Sequence, residues 1–113
     1  MFRETTRVGD LIFVIGTIGR DSTGRVVDGI REQTELSLER IEGMLAKHSV
    51  DRSGIVRIRA FLIDMREWPD AREVISKFFG DSIPPAIAMS VTGLVEPSVR
   101  IELEVDAAAG VVQ

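Results

Sequence analysis

The chain has 113 residues, a net charge of −4, 44% hydrophobic residues and no cysteine. This length predicts one domain over residues 1–113, and the missing cysteine excludes disulfides, thiolate nucleophiles and cysteine-bound metals. An acidic chain with 5% aromatic residues is poorly suited to nucleic acid. No apolar run approaches the ~20 residues that cross a membrane, and the first residues do not resemble a signal peptide. We therefore expect a cytoplasmic protein without nucleic-acid or membrane partners.

The first elements form a predicted β-hairpin. Residues 2–9 are β-prone, Gly9-Asp10 has turn chemistry, and a second strand follows over residues 11–18. Because this second strand is continuously apolar, we expect both of its faces to be buried. Gly16 interrupts the strand, which indicates either a bulge with a close approach of another group or simple packing.

Two amphipathic helices are predicted. Residues 25–27 form a short extra strand, Asp28 is the expected N-cap, and the first helix runs to about Lys47. The second helix covers residues 66–79, with Pro69 in its first turn and Gly80 as its stop. His48, the single histidine, follows the first helix and is interpreted as solvated. The apolar stripe of the first helix consists of Ile30, Thr34, Leu38, Ile41 and Leu45.

Three further strands are predicted, at residues 55–64, 84–91 and 99–105. The last of them alternates apolar and charged residues without a break, which indicates one buried and one polar face. The order β-β-α-β-α-β-β predicts a two-layer α+β domain with two helices on one face of a mixed sheet. The other face mixes apolar residues with charges of opposite sign, so we expect it to meet another copy of the chain.

The polar face of the last strand carries the most suggestive chemistry. Glu102 and Glu104 point the same way, and a carboxylate in a low-dielectric interface can hold a raised pKa and move protons. The alternative is that both carboxylates pair with arginines such as Arg57, Arg59 or Arg100. No zinc spacing, phosphate-binding loop, dinucleotide fingerprint or nucleophile elbow is present, so we expect neither a metal nor a cofactor.

Several segments together resemble the RidA/YjgF family, also called the endoribonuclease L-PSP type. The resemblance spans nearly the whole chain and depends on the order and spacing of short motifs. These motifs are residues 7–16 (RVGDLIFVIG), 32–34 (EQT), 61–65 (FLIDM), 78–80 (FFG), 85–86 (PA) and 101–104 (IELE).

The resemblance implies a chorismate-mutase-like fold and a homotrimer with small-molecule clefts between subunits. The family's best-known activity is hydrolysis of 2-imino acids, or of their enamine tautomers, to 2-keto acids and ammonia. In that chemistry a glutamate on the last strand positions water, and an arginine after the Pro-Ala pair binds the substrate carboxylate by a bidentate contact.

Carried over by position, Glu102 matches the catalytic glutamate and Gly16 matches the cleft glycine. Phe2 stands where members of the family usually have a tyrosine. Ile15 stands where they commonly have a serine, and Arg72 stands where they often have an asparagine. Ile87 stands where the arginine is expected, which argues against ordinary 2-imino acid deamination. The remaining predicted substrate-binding residues are Thr17, Ala86, Ala88 and Met89.

Three functions remain open on the sequence alone. The first is a hydrolase (deaminase) of imines, enamines or related small carbonyl compounds that lack an essential carboxylate, with Glu102 orienting water and Arg72 as a replacement cation if it reaches the cleft. The second is a non-catalytic trimer that binds a small metabolite or acts as a regulator, which the loss of the arginine favours. The third, ribonuclease activity, is disfavoured by the acidic charge and by the lack of a histidine pair.

Overall fold

The computed structural model describes residues 1–111. One mixed five-stranded sheet has the order β1-β2-β5-β3-β4, in which β3 and β4 are parallel and the other neighbours are antiparallel. The elements in chain order are β1 (Thr5–Val8), β2 (Leu11–Val14), α1 (Ile30–Ala46), β3 (Ile55–Leu62), α2 (Trp68–Phe79), β4 (Ala86–Ser90) and β5 (Ile101–Ala108), with short 3₁₀ turns at Arg52–Gly54 and Met65–Glu67. The predicted α+β architecture and its element order are confirmed.

The core lies between the two helices and one face of the sheet. The predicted stripe of α1 is buried along its whole length, and Ala71 and Ile75 of α2 are buried beside it. On β5, every second residue from Ile101 to Ala107 is buried, as the alternating pattern predicted. Burying the valine, leucine and isoleucine side chains of this set contributes roughly 1.5–3 kcal/mol each.

The β1–β2 hairpin forms as predicted, but β2 differs from the prediction in two ways. Gly9 has a φ of 59° in the turn, a value that glycine adopts without strain. The strand ends at Val14, and it is not buried on both faces. Ile12 and Val14 are buried, whereas Leu11 and Phe13 are exposed, because both helices cover the same side of the sheet.

Two polar residues have partners that the sequence did not predict. The N-cap of α1 is Gly29 and makes no side-chain hydrogen bond, so the prediction for Asp28 was wrong. Asp28 instead pairs with Arg25 at 3.3 Å on the surface. Arg100 precedes β5 and pairs with Glu67, so it does not join the row of charges that follows on that strand.

Gln33 is a polar residue inside the fold that joins three segments. Its side chain is 1% exposed. The Nε2 atom donates to the carbonyl oxygens of Val27 and Ser98, both at 2.9 Å, and Oε1 accepts from the Arg100 backbone N–H at 2.8 Å. These bonds hold the chain that enters β5 against the start of α1.

The outer sheet face, which we define as the side away from the helices, is not covered by any other element within residues 1–111. Phe13 is 45% and Ile87 is 51% exposed on it. Arg59 lies between two carboxylates, at 3.0 Å from Glu104 and 3.1 Å from Asp106. The neighbouring strands present three rows of side chains there: Glu102, Phe61 and Met89; Glu104, Arg59 and Ile87; Phe13, Asp106 and Arg57.

Candidate functional site

A surface cavity of about 750 Å³ opens where β2 ends beside β5. Its walls are mainly apolar, and Glu102 is the carboxylate that β5 contributes to it. The cavity is lined by Phe2, Arg3, Glu4, Thr5, Thr6, Phe13, Val14, Ile15, Gly16, Ile18, Val95 and Glu102. This volume suits a small organic molecule.

A β-bulge at Ile15 and Gly16 shapes the floor of this cavity. Phe13 is opposite Asp106 and Thr17 is opposite Leu103. Four residue steps from Phe13 to Thr17 are therefore paired with only three steps along β5. The extra residue bends the chain next to Glu102, as bulges do. A Cβ atom built on Gly16 would overlap Glu102 Oε2 and lie 3.1 Å from its Cδ. The glycine therefore leaves the space that the carboxylate occupies.

Glu102 and Glu104 have different surroundings although they share a strand face. Glu104 accepts a hydrogen bond from Arg59 at 3.0 Å. Glu102 has neither a hydrogen bond nor an ion pair within residues 1–111. Burial, and secondly the negative charge of Glu104, raises the pKa of the Glu102 carboxyl. The ion-pair interpretation thus applies to Glu104, and Glu102 is left as an unpaired acid facing the cavity.

The N-terminal segment forms one wall of the cavity and carries Phe2. It is held in place by a hydrogen bond from the Ile15 backbone N–H to the Glu4 carbonyl, at 2.8 Å. Thr5 Oγ1 and His48 Nε2 are 2.8 Å apart, and Lys47 pairs with Glu4 at 3.2 Å. His48 is therefore half-buried and fixes this wall, where the sequence indicated a solvated residue.

Some of the predicted site residues lie away from the cavity. Thr17 is 2% exposed, and its hydroxyl donates to the Ile15 carbonyl at 2.7 Å, so it supports the bulge from behind. Arg72 is exposed on α2, on the helix side of the sheet. Within residues 1–111 no group of three or more His, Asp or Glu residues is placed to hold a metal ion.

The predicted residues of β4 also lie outside this cavity. Ala86, Ile87, Ala88 and Met89 belong to the edge strand of the sheet, and β3 separates that strand from β5. Two strand spacings put Met89 about 10 Å from Glu102. Within one chain the two groups of predicted residues therefore do not meet.

The cavity also contains residues that the sequence reasoning missed. Arg3, Phe13 and Val95 line it. Phe13 was not singled out because the residues around it, Leu11 to Ile15, are all apolar and give no sign of which face is exposed. Arg3 and Val95 are in segments without periodic structure, where spacing does not indicate which side chains converge.

Two helices on one face of a mixed sheet, with an apolar cavity at a bulge, define a small two-layer α+β domain with one candidate binding cavity beside β5. The family model described as Endoribonuclease L-PSP matches residues 1–109, so the chain belongs to the RidA/YjgF family. A RutC family protein of Pyrococcus abyssi is 34% identical over 105 residues, covering 91% of this chain and 82% of that protein. A solved member of the YjgF/YER057c/UK114 family from Mycobacterium tuberculosis is 31% identical, with a TM-score of 0.87, covering 96% of this chain and 86% of that one.

A more distant relative has a name that refers to chemistry. The protein named Reactive Intermediate Deaminase A, chloroplastic, of Arabidopsis thaliana is 25% identical over 105 residues, covering 91% of this chain and 56% of that protein.

Proposed function

We propose that this protein hydrolyses small imines or enamines to carbonyl compounds and ammonia, with Glu102 as the acid–base group. The observation that carries the proposal is an unpaired, half-buried carboxyl group of raised pKa in an apolar cavity. Such a group can hold or release a proton closer to neutral pH than an exposed glutamate can. The chloroplast relative named for deamination supports the reaction class.

The proton balance of the reaction needs only one such group. The Glu102 carboxylate accepts a proton from water while the water oxygen bonds to the imine carbon. The electron pair of the C=N double bond moves to nitrogen, which takes the proton from Glu102. In the second step the new hydroxyl gives its proton to Glu102, the C=O bond forms, the C–N bond breaks and nitrogen leaves as ammonia with that proton. One water is consumed, and Glu102 ends as it began.

The proposal includes a homotrimer, because the single chain leaves two surfaces incomplete. The outer sheet face exposes Phe13, Ile87 and Met89 among charged residues. The cavity is open, and the β4 residues lie at the opposite edge of the sheet from β1. In the proposed trimer, β4 of one subunit closes the cavity of its neighbour and contributes Ile87 and Met89 as apolar walls. No arginine comes from that position.

The test is ammonia release from imines generated in the assay by an amine oxidase acting on 3-methylbutylamine, with catalase present. Wild-type protein should accelerate release over the spontaneous rate, and Glu102→Gln should lose about 10²- to 10⁴-fold of that acceleration. Glu104→Gln is the matched control, because its carboxylate binds Arg59. It should keep most of the rate. Full activity in Glu102→Gln would refute the assigned role.

The second candidate function is ligand binding or regulation without turnover, and Ile87 is the observation that favours it. Losing an arginine contact to a substrate carboxylate costs roughly 2–5 kcal/mol of binding. If wild-type protein accelerates no imine hydrolysis but its Tm rises with a small apolar metabolite, this function replaces the first.

A further inference from the structure

The segment between β4 and β5 contributes one exposed apolar side chain to the Glu102 cavity. Val95 lines this cavity and is 70% exposed in the single chain. The residue before it, Leu94, is half-buried and packs against a small second core, which consists of Ile18, Val26 and Val99. This packing attaches the chain to the fold immediately before Val95.

The chain immediately after Val95 is held by a turn and by an ion pair. The Val99 backbone N–H donates to the Glu96 carbonyl at 3.1 Å. Pro97 is the second residue of this four-residue turn, a position that its fixed φ suits. The Glu96 carboxylate also pairs with Arg20 Nη2 at 2.8 Å. Because both neighbours of Val95 are attached to the fold, its side chain has a defined position at the edge of the cavity.

Arg20 belongs to a segment that is itself attached to the first helix. Its Nη1 donates to the Gly24 carbonyl at 2.9 Å, which fixes the side chain. The Ile18 carbonyl, two residues earlier, accepts a hydrogen bond from Arg40 Nη1 on α1 at 2.6 Å. Ile18 also lines the cavity. The ion pair of Arg20 therefore connects the wall at Val95 to a second wall segment that is anchored on α1.

We propose that Val95 limits the length of the apolar chain that the cavity accepts, and that the ion pair between Arg20 and Glu96 holds Val95 in place. A wall that is attached on both sides does not retreat from a longer ligand, so further methylene groups gain no burial or overlap with it. Arg20 and Glu96 are positioning residues, because neither is among the described residues that line the cavity. This inference rests on the cavity being the site of the proposed function, but it concerns binding and does not require turnover.

The test measures binding of neutral methyl ketones, from 2-butanone to 2-nonanone, by NMR titration of ¹⁵N-labelled protein. The amide signal of Gly16 reports on the cavity that this residue lines. Affinity should rise about fourfold for each CH₂ group that becomes buried, and the rise should stop where the chain reaches Val95. We call that chain length the length limit.

Variants of Val95 should move the length limit in opposite directions. Val95→Ala should move it to a chain longer by about one or two carbons, since two methyl groups are removed. Val95→Phe should move it to a shorter chain. Val8→Ala is the matched control, because Val8 is also an exposed valine, at 60%, but is not among the described residues that line the cavity. It should keep the wild-type limit.

Charge reversal tests the ion pair that positions Val95. Arg20→Glu alone, or Glu96→Arg alone, puts like charges together and should loosen the wall. Each should raise the affinity for the first ketone beyond the wild-type limit by about fourfold, and ¹⁵N relaxation should show increased motion of the Val95 amide. The double variant should restore both properties. Because a partly exposed ion pair contributes little stability, the Tm of the single variants should fall by no more than about 5 °C.

The outcomes separate the two parts of the proposal from each other and from catalysis. An unchanged length limit in both Val95 variants would overturn the role of Val95, as would a wild-type affinity that does not depend on chain length. Wild-type relaxation and limit in both single reversals would overturn the role of the ion pair. A length limit that follows residue 95 in a protein that releases no ammonia would sustain this proposal while refuting the hydrolase.

Discussion

Substituting Gly16 by alanine tests whether the position of the Glu102 carboxylate matters. The added Cβ would overlap Glu102 Oε2 and lie 3.1 Å from Cδ. Restoring an ordinary van der Waals separation requires the carboxylate to withdraw by about 1 Å. A displacement of that size in a reacting group can cost about 10²-fold in rate. We therefore expect Gly16→Ala to reduce imine hydrolysis by roughly that factor.

The fold should tolerate this substitution. Gly16 is not among the residues with positive φ, so alanine can adopt its backbone conformation. The group that must move is the end of a flexible side chain and not the backbone. We expect the free energy of unfolding in urea to change by less than about 1 kcal/mol.

Gly43→Ala is the matched control for this experiment. Gly43 lies within α1, and no atom outside its own helix lies within 4 Å of a Cβ built there. Alanine should stabilise the helix by about 0.5–1 kcal/mol and leave the rate of ammonia release unchanged. Wild-type rates in folded Gly16→Ala would refute the reasoning, because they would show that the cavity does not need the carboxylate where the structure puts it.

Two further predictions concern pH and assembly. Because the pKa of Glu102 is raised, the folded chain holds this proton more tightly than the unfolded chain does. The free energy of unfolding should therefore fall as pH rises from the ordinary carboxyl range through the raised pKa. Urea titrations should show that Glu102→Gln lacks this part of the decline. Identical pH profiles for the wild type and the variant would contradict this prediction. Ile87→Lys adds a charge to the outer sheet face and should shift the proposed trimer towards monomer in sedimentation velocity, with the far-UV circular dichroism unchanged. A wild-type protein that sediments as a monomer at every concentration would contradict the assembly.

Periodicity predicted the parts of the fold that depend on one buried face. Leu38 and Ile41 recur at helical spacing, and Ile101 and Leu103 alternate with charges, so each pattern identifies the side facing the core. The pattern of β2 has no such contrast, because Leu11 and Phe13 are as apolar as Ile12. It was therefore interpreted as a strand buried on both faces. A run of apolar residues does not distinguish a face that its own chain buries from one that is left exposed.

Irregular segments explain what the sequence did not predict about the site. Gly16 and Glu102 were singled out by the strand patterns and by the resemblance, and the structure adds that the glycine makes room for the carboxylate. Gln33 looked like one more polar residue on a helix, although its side chain bonds to the loop before α1 at Val27 and to the distant segment at Ser98 and Arg100. That network does not follow from a periodic pattern, because it depends on how the segments before α1 and before β5 meet in space.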